Sequence, residues 1–323
     1  MKVLITGGAG YIGSILTRIL LARGYSVRIL DILRFSGESL LGIINNPNLE
    51  FIKGDIRDIK TLEKSINDID AVVHLAAIVG DPACAHEPKA AEEINFDASV
   101  RLFNMCNALK NVKYFIFAST CSNYGKMGNN NYVNEDSPLH PISLYAKLKV
   151  NFEKYLLGSK TRFDFYPFSL RFATVYGISP RMRFDLTVNE FTRDATIKNE
   201  LEIYGDQFWR PYCHVEDLAR SCVLILESDI QKIKHRVLGV GDTRENYQKR
   251  MLVEEILKVI PNVKVRYIKK DEDPRDYKVD FSRIKNELGF RITKTVPQGI
   301  REIHFLIKNH IMADPENNLY RNS

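Results

Sequence analysis

Tyr145 and Lys149 stand four residues apart in "SLYAKLKVNFEKYL", a stretch whose period predicts a helix, so the two side chains share one face. A phenol, with a pKa near 10, is a poor base at neutral pH. To take a proton near pH 7 it needs roughly 4 kcal/mol of help, part of which an ammonium one helical turn away can give. The same spacing also suits a plain surface pair, so its meaning depends on its surroundings. Thr120, twenty-five residues before Tyr145, lies in "FASTCSNYG" at the end of an apolar run. Its hydroxyl could hydrogen-bond the oxygen that the tyrosine deprotonates, polarising it and fixing the neighbouring carbon. Cys121 would need a base partner to act as a nucleophile, and the sequence indicates none.

The elements that would carry these residues can be read from hydropathy. Apolar runs of strand length ("KVLIT", "SVRIL", "LEFIKGD", "AVVHLAA", "YFIFAST", "FDFYPFSLR") alternate with segments of helical period near 12–23, 60–67, 89–109 and 143–158. Strand and helix in repeated order predict a Rossmann-type α/β fold with a doubly wound parallel sheet, and ligands bind such sheets at the carboxyl ends of their strands. The first strand runs into "TGGAGYIGS". Gly7 allows a tight turn, Gly10 close approach of backbone amides to a pyrophosphate, and Gly13 tight helix packing. Eighteen residues past Gly13, Asp31 ends the second strand, where a carboxylate accepts both ribose hydroxyls of an adenosine and repels a 2′-phosphate. The expected cofactor is therefore NAD rather than NADP, with Arg34 the one residue pointing the other way. A cationic nicotinamide would add to the help that Lys149 gives Tyr145.

With these residues on the page, the chain resembles the extended short-chain dehydrogenase/reductases, in particular the NAD-dependent nucleotide-sugar epimerase/dehydratase group. The resemblance runs through "TGGAGYIGS", Asp31, "GDIRD", "HLAA", "NFDAS", "STCSNYG" and "YAKLK" and spans nearly the whole chain. It implies cofactor contacts from Tyr11 and Ile12 in the glycine turn, from Asp55 and Ile56 beside the adenine, and from the backbone of Leu75, Ala76 and Ala77. It also places Asn95 near a ribose and Ser36 at a phosphate or ribose. The group's 4,6-dehydratases carry an Asp-Glu pair after the catalytic hydroxyl, where this chain has Cys121 and Ser122, so dehydration is not expected. The second half resembles the group's nucleotide-diphosphate site through Arg210 in "WRPYCHVEDLA" and Arg275 in "EDPRDYKVDFSRI", with Asn189, Arg181 and Arg183 as further substrate contacts. Thr174 departs from the asparagine of many relatives. "AAIVGDPAC", "STCSNYG" and "SPRMRFDL" resemble a subgroup acting on surface-polysaccharide sugars. A homodimer packed through the helices near 95–109 and 143–158 is implied as well.

Composition sets the bounds. The 323 residues, 45% apolar and 27% charged with a formal charge of +6, suit a globular enzyme with no polybasic block for nucleic acid. No signal-peptide region and no apolar run of membrane-spanning length is visible, which predicts a cytoplasmic protein without membrane partners. Five cysteines without C-x-x-C spacing predict reduced thiols and no metal site, and His74 and His214 are expected to be structural. Residues 1–170, with a returning segment near 212–240, would form the NAD domain. Residues 171–211 and 241–323 would form a smaller mixed α/β substrate lobe, ending in a solvated tail, "ADPENNLYRNS". The expected reaction is oxidation of a nucleotide-diphosphate sugar at C4. A 4-epimerase, or a non-catalytic NAD-sensing protein on the same fold, is the alternative.

Overall fold

The computed structural model describes residues 1–126, 132–269 and 275–322. Seven strands, β1 (Lys2–Thr6), β2 (Ser26–Asp31), β3 (Leu49–Lys53), β4 (Ala71–His74), β5 (Tyr114–Thr120), β6 (Tyr166–Phe172) and β7 (Val237–Val240), form one sheet in the order β3-β2-β1-β4-β5-β6-β7. Every neighbouring pair is parallel. The helices that position the site are α1 (Tyr11–Ala22), α2 (Ile59–Ile66), α3 (Asp81–His86), α4 (Pro88–Glu92), α5 (Ser99–Ala108), α6 (Leu144–Gly158), α7 (Thr187–Lys198) and α8 (Val215–Glu227).

Both faces of the sheet are covered, which is why its strands read as near-continuous apolar runs. Val3 and Ile5 of β1 and Val27 and Ile29 of β2 point to one face, packed with Leu16 and Leu20 of α1 and Leu218 and Cys222 of α8. Leu4, Leu30, Phe115 and Phe117 point to the other, against Leu62 of α2, Phe103 of α5 and Phe152 of α6. Each fully buried aromatic or aliphatic side chain contributes about 1.5–3 kcal/mol. His74, at the end of β4, is buried within this second layer with Thr6 Oγ1 2.7 Å from Nδ1 and Ser99 Oγ 2.8 Å from Nε2. Burial lowers its pKa to about 3, so it is a neutral core residue.

The single helix expected over 89–109 is three pieces. Between α4 and α5 the chain takes one wide π-type turn, Glu93–Ala98, with Ser99 Oγ donating to both Ile94 O and Asn95 O at 3.1 Å. Such turns re-aim a side chain without ending the helix. Beyond β6 a second core gathers Tyr176, Phe184, Val188, Ile203, Leu252 and Ile303, with helices Lys249–Val259 and Val296–Lys308. Small sheets complete this region: Thr174–Tyr176 with Trp209–His214 and Asn246–Gln248, and Glu200–Tyr204 with Lys264–Ile268. His214 caps α8 and lies 2.6 Å from Glu302, a structural role. All five cysteines are buried and unbridged. Among the described residues, no helix is long and apolar enough to cross a membrane.

The segment expected to be a solvated tail is exposed at Ala313, Asp314 and 316–319, but its end, from Tyr320 to Asn322, is docked. Phe184 N donates to Tyr320 O at 2.7 Å, and the two rings meet edge to face at 6.0 Å. Tyr320 gives the segment an apolar anchor that outweighs the polar residues around it.

Candidate active site

The strand order reverses between β1 and β4, and at their carboxyl ends a cleft of about 820 Å³ opens between the sheet and the second core. Gly7 sits there at φ +76°, and a Cβ on it would stand 2.8 Å from Ala76 N; one on Gly13 would stand 2.2 Å from Gly7 O. With no side chains in the way, the turn delivers the N-terminus of α1 to the cleft, and no acidic residue in its first turn offsets the positive end. Gly10, Tyr11 and Ile12 line the cleft beside it. The glycine turn, the open helix end and the acid that follows fit a dinucleotide.

That acid, Asp31, ends β2 in the cleft wall. Its carboxylate accepts from Ala9 N at 3.0 Å and Leu33 N at 2.8 Å, which fixes it in place, while burial raises its pKa. Arg34 is ion-paired with Glu87. The nearby cation is thus already engaged, which favours a free 2′-hydroxyl over a 2′-phosphate. Ser36, Asp55, Ile56, Leu75, Ala76 and Ala77 all line the cleft. Asp55 is tied to Arg57 at 2.7 Å, which lowers its pKa. Asn95 does not reach the cleft wall. It is 2% exposed and its amide is spent on Ile78, accepting from N and donating to O at 2.8 Å each. The wide turn at Glu93–Ala98 carries this clamp, which holds the loop after β4.

The proposed catalytic residues converge where α6 meets the end of β5. Thr120, Tyr145 and Lys149 all line the cleft, with Thr120 close enough to the Tyr145 phenol to act on its pKa. Lys149 Nζ donates to Ala118 O at 2.8 Å and lies 5.9 Å from the Tyr145 ring centroid. Burial pushes the phenol up, opposed by the Arg183 guanidinium and Thr120, and brings Lys149 down to about 8. Desolvation is the largest influence on both groups. The neighbours of Thr120 divide the work. Ser119 donates to Glu153 at 2.8 Å beneath the strand, Cys121 is buried with its thiol pushed up by desolvation, and Ser122 lines the cleft.

From the second core, Thr174, Arg181, Arg183 and Arg275 line the cleft. Arg183 is bidentate to Asp185, at 3.0 and 2.6 Å. Arg275 reaches across the mouth to Asp81 at the start of α3, 3.2 Å away. Arg210 stands behind the wall, 5.4 Å over the Tyr277 ring, which itself lines the cleft. Asn189 is not a wall residue. Fully buried on α7, it accepts from Gly177 N at 2.9 Å and donates to Tyr11 Oη and Arg183 O, so it buttresses the wall. Sequence reading missed Phe35, Asp81, Asp185, Tyr277 and Asn322. Only long-range packing brings them here, and no local pattern marks them.

The fold and the site define a class. The family described as the NAD dependent epimerase/dehydratase family matches residues 3–241, and the chain belongs to it. UDP-glucose 4-epimerase from Lactobacillus helveticus is 30% identical, over 90% of this chain and 92% of its own. The NAD complex of UDP-glucose 4-epimerase from Thermus thermophilus superposes with a TM-score of 0.82 at 25% identity, covering 96% of this chain and all of that one. UDP-glucuronic acid 4-epimerase from Bacillus cereus, in complex with UDP-glucuronic acid and NAD, gives 0.83 at 26%, covering 96% and 99%. NAD is the cofactor.

Proposed function

We propose that this enzyme is a nucleotide-diphosphate-sugar 4-epimerase, which removes hydride at C4 and returns it to the other face. The observation that supports this reading best is the meeting of Thr120, Tyr145 and Lys149 in a cleft whose wall carboxylates, among the described residues, are all engaged. Asp31 holds two amides, and Asp55, Asp81, Glu87 and Asp185 each face an arginine. Among the described residues, a cleft so arranged supplies proton removal from one alcohol but no unpaired acid for eliminating water.

When bound, NAD supplies the hydride acceptor and donor. Tyr145 takes the C4 hydroxyl proton, Thr120 hydrogen-bonds the same oxygen, and Lys149 stabilises the phenolate and orients the nicotinamide ribose. Arg183 and Arg275, in the cleft wall, meet the sugar nucleotide's phosphates, with Arg210 behind the wall adding positive charge. The three relatives named above, all 4-epimerases, support return of the hydride. Release of the 4-keto sugar with NADH is the second reading, favoured by the resemblance of "AAIVGDPAC", "STCSNYG" and "SPRMRFDL" to GDP-D-glycero-α-D-manno-heptose 4-dehydrogenase.

The experiment is product analysis by NMR with NAD and, in parallel, UDP-glucose, UDP-glucuronic acid and GDP-heptose. Inversion at C4 without net NADH is expected; a 4-keto sugar with stoichiometric NADH establishes the dehydrogenase and removes the epimerase. Tyr145→Phe should lower kcat by about 10²–10⁴, and wild-type turnover by that variant would sink both readings. The reading includes a homodimer packed through residues 95–109 and 143–158, which sedimentation at the mass of one chain would contradict.

A further inference from the structure

The loop from Gly177 to Arg183 belongs in sequence to the second half of the chain, yet it is stitched to the phosphate-binding end of α1. Tyr11 Oη donates to Gly177 O, and Ser179 Oγ donates to Tyr11 O at 2.7 Å and lies 3.1 Å from Ser14 Oγ. Gly177 itself stands at φ +112° with His214 where a Cβ would go, so the loop has little freedom to swing away.

This stitching carries Arg181 to the dinucleotide half of the cleft. Its Cζ lies 4.2 Å from the centroid of Phe35, in the loop after β2, and Asp31 is close enough to act on its charge. Arg181 is 7% exposed and lines the cleft. Among the described residues it makes one hydrogen bond, Nη2 to Arg321 O at 3.2 Å, its Nε is buried without a partner, and no carboxylate is ion-paired with it. Asp185 is bidentate to Arg183, and Asp31 is occupied by two amides. A buried guanidinium with one carbonyl partner is costly unless an anion completes it. The loop that carries it is stitched to the open N-terminus of α1, whose amides also call for an anion.

We propose that Arg181 is a ligand of the dinucleotide's diphosphate, completing with the α1 N-terminus the site that holds it, and is a cofactor residue rather than a substrate residue. A diphosphate there gives the guanidinium paired acceptors and the helix end its counter-charge at once. The chain segment that follows Phe184 in space, through Arg321 O, holds the guanidinium at that height. A 2′-phosphate on the adenosine would be an anion of the same chemistry from another source, and the test separates the two.

The test is calorimetric titration of the full chain, freed of bound nucleotide, with ADP-ribose, 2′-phospho-ADP-ribose, UDP and GDP. Arg181→Gln should raise the Kd for ADP-ribose and for its 2′-phosphate about tenfold or more, and Arg181→Lys, which keeps the charge, should recover part of the loss. Whichever of UDP or GDP the wild type binds should stay within twofold. The thermal midpoint of Arg181→Gln should equal or exceed that of the wild type. An unchanged Kd for ADP-ribose, a loss confined to UDP or GDP, a loss confined to the 2′-phosphate form, or failure of Arg181→Gln to fold would each overturn the proposal. A wild-type protein that binds no ADP-ribose would count against the cofactor assignment itself, a different failure.

Discussion

Lys149 shows what the site costs the fold. Its ammonium is 3% exposed and touches one carbonyl, with its pKa lowered to about 8 by burial. At pH 7 the folded chain therefore holds a poorly solvated charge that the unfolded chain would carry freely. Between about pH 8 and 10.5 the unfolded state binds the extra proton, so this group's contribution to stability rises with pH across that window and is flat below it. Lys149→Met should raise stability by about 2 kcal/mol at neutral pH while turnover collapses, and the gain should shrink as pH climbs toward 10. Thermal melts of both proteins from pH 7 to 10 check this; a gain that does not change with pH would mean that charge is not the cause. That the tyrosine, the lysine and the threonine would meet in one cleft was legible from type and spacing. Asn95 and Asn189 were legible as important but not in their tasks, because sequence does not say whether a buried amide faces a ligand or a backbone.

The end of β5 is anchored from below by polar groups rather than by packing. Glu153 of α6 accepts from Ser119 Oγ at 2.8 Å and Ser169 Oγ at 2.6 Å and pairs with Arg171 of β6 at 2.7 Å, all buried. Removing one partner of such a pair leaves a stranded charge. Arg171→Met should cost about 3–5 kcal/mol, and Glu153→Leu combined with Arg171→Met less than the single change. Denaturant unfolding of the three variants measures it, and additive losses would mean the two residues act independently. Five of the six strands read from the sequence bury both faces and so show as continuous apolar runs, while β3, at the sheet edge, keeps Glu50 and Lys53 exposed. The helix over 89–109 was read as unbroken because a single wide turn leaves the apolar spacing almost intact. The short strands beyond Thr174 had no such signature, since their pairing depends on partners far along the chain.

The two cores meet around residues that local sequence could not flag, and the last described residues are among them. Asn322 N donates to Asp185 at 3.3 Å, Lys198 pairs with Glu316 at 3.1 Å, and Tyr320 rests on Phe184. Tyr320→Ala should lower the thermal midpoint by about 2–4 °C, the equivalent of one to two kcal/mol for a chain of this size; a calorimetric scan that shows no shift would mean the segment contributes nothing there.

The two ends of the cleft are fastened unequally. At the α1 end the wall is held by Tyr11, Ser179, Asn189 and a glycine that tolerates no side chain, whereas at the mouth Arg275 and Asp81 share one ion pair at 3.2 Å between partly exposed side chains. Partly exposed pairs of that kind are worth about 1 kcal/mol or less and break readily. A pair of that kind breaks more readily than the stitched wall opens, so the mouth is the end of the cleft expected to open first.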